Sequence, residues 1–190
     1  RLTEDGLNEL EARLPHCRIQ RSEATEGQRR VLFPLARSVG VVYELPQAGS
    51  GLERVLVGKA KGAISLAEDH SLMLVVDAVA EEDLSFLGHL RPYDVQVLVA
   101  DHGRVHASGL AHIAKLLYLE SLTLSGPAIG DDALRQLEPL TRLRHLSLPH
   151  ASISDEGLAH IPDMFPGLEH LGLPGCQNIS AAGAQHIAAL

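Results

Sequence analysis

The feature that most constrains this chain is a period. From Val95 onward the sequence sets itself in register as VQVLVADHGRVHASGLAHIAKLLY, LESLTLSGPAIGDDALRQLEPLTR, LRHLSLPHASISDEGLAHIPDMFPG and LEHLGLPGCQNISAAGAQHIAAL. Val95, Leu119, Leu143 and Leu168 stand 24, 24 and 25 residues apart, and a less regular unit, LMLVVDAVAEEDLSFLGHLRPYD, precedes them. Each unit has two rhythms. Its opening L-x-x-L-x-L, as in Leu143, Leu146 and Leu148, ends on a period of two, which predicts a short strand with one buried face. Apolar residues three apart follow, as in Leu134, Leu137 and Leu140, and predict a short helix with one apolar side. Ser154 and Ser180 are placed as helix N-caps, with Gly157 and Gly183 close behind.

One such unit cannot bury both its strand and its helix, so neighbours must stack to supply the missing contacts. Strands joined through a helix lie parallel, with right-handed crossovers. The expected fold is therefore an α/β solenoid with a parallel sheet on its concave side and the wider helices on its convex side.

These lines resemble leucine-rich repeats, through L-x-x-L-x-L followed by I-S-D-x-G-L as it stands at Ile153–Leu158. The subtype is similar to that of large bacterial repeat proteins and of F-box-type adaptors. LPGCQNIS in the last unit is similar to the cysteine-containing variant, which implies that Cys176 takes the place of an asparagine that ties down the turn. The resemblance covers residues 71–190 well and residues 1–20 by half a unit, with Ala100 and Ala184 standing where leucines are expected. It implies a protein-interaction module.

The opening RLTEDGLNELEARLPHCRI repeats the second half of a unit: Thr3, Asp5, Gly6 and Leu7 match Ser154, Glu156, Gly157 and Leu158. Residues 1–20 are accordingly expected to close a preceding array. Residues 21–70 would form a linker and an N-terminal cap, and residues 71–190 an array of about five repeats interrupted at Leu190. Within the cap, GQRRVLFPLARSVG predicts a helix carrying Val31, Leu32, Leu35, Ala36 and Val39, starting or kinking at Pro34 and ending at Gly40. VVYELP and ERVLVG predict two strands around the turn QAGSG. Such a cap would cover the apolar end of the first repeat.

Charge and composition narrow the function. The net charge of −8 lies wholly in the second part: residues 1–70 hold ten Lys/Arg against ten Asp/Glu, residues 71–190 six against fourteen. An acidic surface repels phosphate backbones, so nucleic acid is not expected as a partner. Many of these carboxylates, among them Asp131, Asp132, Asp155 and Glu156, fall where helices begin and complement the helix dipole. No run of 18 apolar residues exists to insert in a membrane. Two isolated cysteines, Cys17 and Cys176, make neither a disulfide framework nor a zinc motif and point to a reducing, cytoplasmic setting.

No catalytic arrangement, cofactor or metal site emerges. GKAKG lacks the phosphate-loop pattern, GSG is a turn, and no G-x-S-x-G elbow appears. His112, His160 and His186 recur at one helix position, as packing or surface features do.

The expected function is non-catalytic binding of another protein on the concave face. A structural subunit of a larger assembly, or the recognition part of a larger enzyme or adaptor, remain alternatives. The second, third and fifth positions of L-x-x-L-x-L avoid the core. They place Glu120, Arg144 and Glu169 in one row, Val97, Ser121, His145 and His170 in the next, and Val99, Thr123 and Ser147 in the last. With strands about 4.8 Å apart, Arg144 should stand between two carboxylates and His145 beside His170. The candidate contact patch is apolar at Val97 and Val99, and polar to cationic at Arg144, His145 and His170.

Overall fold

A computed structural model describes residues 27–45 and 54–187. The half-repeat expected at 1–20, with Cys17, and the turn expected at 47–51 lie outside the described residues.

Nine strands are described. β1 (Gln28–Leu32) and β4 (Ala63–Ala67) pair antiparallel as a two-stranded sheet. β2 (Gly40–Leu45) lies antiparallel between β3 (Val55–Lys59) and β5 (Ser71–Val76). From β5 the pairing turns parallel and runs through β6 (Val97–Ala100), β7 (Ser121–Leu124), β8 (His145–Ser147) and β9 (His170–Gly172). The result is a mixed α/β fold around a mostly parallel sheet of order β3-β2-β5-β6-β7-β8-β9.

A helical segment follows each of the five parallel strands. After β5 these are two 3₁₀ segments, Ala80–Glu82 and Leu84–His89. After β6 to β9 they are α1 (Ala107–Ile113), α2 (Asp131–Gln136), α3 (Asp155–Met164) and α4 (Ala181–His186). Between strand and helix lies one layer of aliphatic core. Leu98, Leu122 and Leu146 are neighbours in register from the sheet, and Leu110, Leu134 and Leu158 face them from the helices, all at most 1% exposed.

One expectation fails. The helix predicted over GQRRVLFPLARSVG does not form; its first half is strand β1 and its second half is irregular. The alternation of buried Val31 with Leu32, 63% exposed, is a strand's. Pro34 denies a helix its interior hydrogen bond, and the chain instead extends the ladder to β4: Phe33 N donates to Gly62 O at 2.8 Å, and Gly62 N to Pro34 O at 3.2 Å. Gly40, expected to stop that helix, opens β2. At φ 150° it lets β2 approach β5 so closely that a Cβ there would lie 2.0 Å from Val75 O.

Neighbouring units are tied by a recurring carboxylate contact. Asp131, in the first turn of α2, accepts the Ser154 backbone N–H at 2.9 Å and its hydroxyl at 2.6 Å. Asp155, in the first turn of α3, does the same to Ser180 at 2.8 and 2.5 Å. Ser154 and Ser180 in turn cap α3 and α4, accepting from Gly157 N and Ala182 N. The glycines make room for this. A Cβ on Gly157 would lie 2.1 Å from Asp131 Oδ1, and one on Gly183 1.9 Å from Asp155 Oδ1. The aspartates expected only to complement a helix dipole therefore also bind each unit to the next. Cys176, a free thiol, adds a similar tie: its Sγ donates to Leu148 O of the preceding unit at 3.2 Å.

Candidate binding face

Parallel pairing in strict register gives the sheet two unlike faces. Position for position, Val97, Ser121, His145 and His170 are neighbours across β6 to β9, as are Val99, Thr123, Ser147 and Gly172. Alternation along each strand sends all of these away from the leucine layer. They form an open face, exposed at His145 and His170 and half-buried at Val97, Val99, Ser121, Thr123 and Ser147.

The face is graded. Its β6 end is apolar, with Val97 and Val99 paired to Met73 and Val75 of β5. Ser121, Thr123 and Ser147 make the middle a row of hydroxyls. At the β8–β9 end the imidazoles of His145 and His170 stack, ring centroids 4.7 Å apart and planes 25° from parallel. Neither ring hydrogen-bonds to a described residue.

At the strand entries, Arg144 pairs with Glu169 through Nη1 and Oε1. Glu120 lines the same pocket, about 390 Å³, with Thr141, Arg142, Arg144, Gly167 and Glu169. Arg144 thus sits between two carboxylates in the row, bonded to one of them. All three groups are exposed, so the pair itself holds the site together only weakly.

The sequence reading missed the rim beside this pocket. Arg91 lies over Tyr93, 4.8 Å from the ring centroid; Tyr93 meets Tyr118 edge-on at 6.3 Å; and Arg142 lies over Tyr118 at 4.1 Å. Tyr93 and Tyr118 are 44% and 41% exposed. The row thus presents apolar rings with cations stacked on them. A signal for it was present: Tyr118 and Arg142 are 24 residues apart and immediately precede Leu119 and Leu143. The period alone makes them neighbours.

Of the recurring histidines, His112 is half-buried, its Nδ1 3.2 Å from where a Cβ on Gly88 would stand, while His160 and His186 are exposed on the helix side. They do not join the open face. His102 is engaged elsewhere, its Nδ1 2.9 Å from buried Glu81 Oε1. No helix among the described residues is long and apolar enough to cross a membrane.

No family model matches the chain. Over 53 residues it is 45% identical to F-box protein SKIP19 of Arabidopsis thaliana, a stretch that makes up 28% of this chain and 18% of that protein. The chain therefore matches less than a fifth of that relative's length.

Proposed function

We propose that the chain is a non-catalytic protein-binding module of the leucine-rich-repeat kind, a right-handed solenoid whose open sheet face is concave and takes a protein partner. One observation carries this reading. Four consecutive units in register present their non-core residues on a single face, while the reverse of the same sheet is buried. Such a surface has the parts a protein interface uses: an apolar patch at Val97 and Val99, hydroxyls at Ser121, Thr123 and Ser147, and Tyr and Arg anchors along one rim. The graded polarity fits a partner segment that lies across the strands, apolar at one end and acidic where it meets Arg142, Arg144 and the histidines.

The similarity to an F-box protein favours a more specific version, in which this face recognises the client of a longer adaptor.

The test is site-specific photocrosslinking in cells. A crosslinker at Thr123 or Ser147 should trap a partner that one at Arg135 or His160, on the helix side, does not. Replacing Arg144, His145 and His170 together by Ala should weaken capture while leaving the thermal unfolding midpoint in place. Crosslinks confined to Arg135 and His160 would move the interface to the helices and overturn the proposal.

A further inference from the structure

We propose that His145, Glu169 and His170 form a binding site for a divalent transition metal of the zinc class on the open face. A ligand atom from each of the three lies within 4.8 Å of the others. Tetrahedral zinc, with bonds of about 2.0–2.1 Å, needs its donor atoms roughly 3.4 Å apart. The three must therefore close by up to about 1.4 Å, and the stacked imidazoles must turn so that their in-plane lone pairs converge, rotations that are open to three exposed side chains.

Three features separate this cluster from an ordinary group of surface residues. First, the register pairs His145 with His170, so two rigid strands hold the imidazoles side by side. Second, neither imidazole is committed to a hydrogen bond with a described residue, whereas metal binding requires a free ring nitrogen. The comparable trio of Glu81, Asp101 and His102 lacks that freedom: Glu81 already accepts from His102 N, His102 Nδ1 and Arg104 N. Third, the carboxylate is available on mild terms. Glu169 is bonded to Arg144 through one oxygen, in an exposed pair that gives way easily.

Two imidazoles and one carboxylate select zinc, nickel, copper or cobalt over magnesium and calcium, which want oxygen ligands throughout. Three protein donors also leave an outward coordination position for water or for a donor from another molecule. A metal held here would turn the polar end of the face into a Lewis-acidic anchor.

The experiment needs no partner, so its result and that of the crosslinking stand apart. The chain, stripped with chelator and dialysed, is titrated with zinc chloride in a calorimeter. One site is expected. His145→Ala and His170→Ala should each weaken it at least about tenfold, the effect of dropping to two ligands. Glu169→Gln should weaken it several-fold. Arg144→Ala should tighten it, because the carboxylate no longer has a competitor; a merely adventitious histidine pair would not respond. His102→Ala should leave it unchanged. All five side chains are exposed, so circular dichroism should show the fold retained. The proposal is overturned by a chain that takes up no zinc at millimolar metal, by binding that survives the double histidine variant, by binding lost with His102→Ala, or by indifference to Glu169→Gln.

Discussion

Residues 27–76 and residues 95–187 share the seven-stranded sheet, the first stretch also holding the separate β1–β4 pair, and they are built by opposite rules. In the second stretch each strand pairs with the strand of the next unit, and the ties between units repeat: leucine on leucine across the sheet, Asp131 to Ser154, Asp155 to Ser180. Each of these ties reaches about one period along the chain. In the first stretch nothing repeats. β1 pairs with β4 across 30 to 40 residues, β2 takes two antiparallel partners, and β3 forms an edge whose Val55, Leu56 and Val57 are exposed. A periodic sequence advertises its neighbours; a non-periodic one leaves the pairing to be settled by the whole fold.

Besides the β5–β6 pairing, one side chain ties the two regions together. Arg29 of β1 donates from Nη1 to Tyr93 O and Asp94 O at 3.3 and 3.2 Å, and from Nη2 to His70 O and Gln96 Oε1 at 3.0 and 3.3 Å. Gln96 Oε1 also accepts from Leu72 N at 2.8 Å, and Asp94 is held by Arg91 at 2.9 Å. Burial pushes the Arg29 guanidinium below its ordinary value, and Asp94 nearby opposes that shift. The guanidinium thus bridges the antiparallel strands to the entry of the first periodic one.

The comparison can be broken most forcefully in the periodic half. Leu146→Ala should cost about 2–5 kcal/mol, the range for emptying a packed aliphatic site, since Leu146 is 1% exposed between Leu122 and Leu171. Urea unfolding measures it. A loss below about 0.5 kcal/mol, typical of surface positions, would mean the strand faces are assigned the wrong way round.

Next in size is the junction. Arg29→Met removes several charge-assisted hydrogen bonds and should cost about 1.5–3 kcal/mol. Hydrogen exchange gives the sharper readout. Amides of β1, β4 and β5 should lose protection while those of β7 and β8 keep theirs. Equal loss everywhere would show that the two regions unfold as one unit and that the contrast drawn above has no energetic counterpart.

A smaller effect carries a diagnostic sign. Alanine for glycine inside a helix normally stabilises by about 0.5–1 kcal/mol. Gly157→Ala should instead destabilise by about 1–2 kcal/mol, because its Cβ would expel Asp131 from its two hydrogen bonds to Ser154. Stabilisation by this variant would remove the inter-unit tie from the account.

The smallest effect is a pH dependence. The Asp155 carboxyl is held below its ordinary range, first by the Ser180 hydroxyl and then by the Ser180 backbone N–H. Its folded value lies under its unfolded one, so its stabilisation is complete above pH about 4 and disappears as pH falls through the lower folded value. Asp155→Asn should therefore unfold at lower urea than the parent at pH 7, with the gap closing under more acid conditions. A gap that stays constant down to pH 2 would mean that charge has no part in the tie.

Much of the periodic half was legible in advance. The strands at Val97, Ser121, His145 and His170, the caps at Ser154 and Ser180, and the neighbouring positions of His145 and His170 all follow from a period near 24 combined with alternation along a strand. The Tyr118–Arg142 contact follows from the same period, although both residues stand one position outside L-x-x-L-x-L. The Asp131–Ser154 tie was half legible: sequence places both at helix starts, but the bond between them depends on the gap above Gly157.

The N-terminal stretch shows where sequence reasoning stops. Val31, Leu32, Leu35, Ala36 and Val39 satisfy a helical spacing as well as β1 satisfies an alternating one, and only the partner strand decides between them. By itself the sequence determined the repeated unit, its strand and helix, and which side chains leave the core, because those depend on residues within one period of each other. Tertiary structure alone decided that residues 28–32 extend to meet β4, that Arg29 joins the two regions, and that Glu169 converges with two histidines. Each of these requires groups far apart in sequence, or on different strands, to reach a particular distance, and local propensity carries no information about that distance.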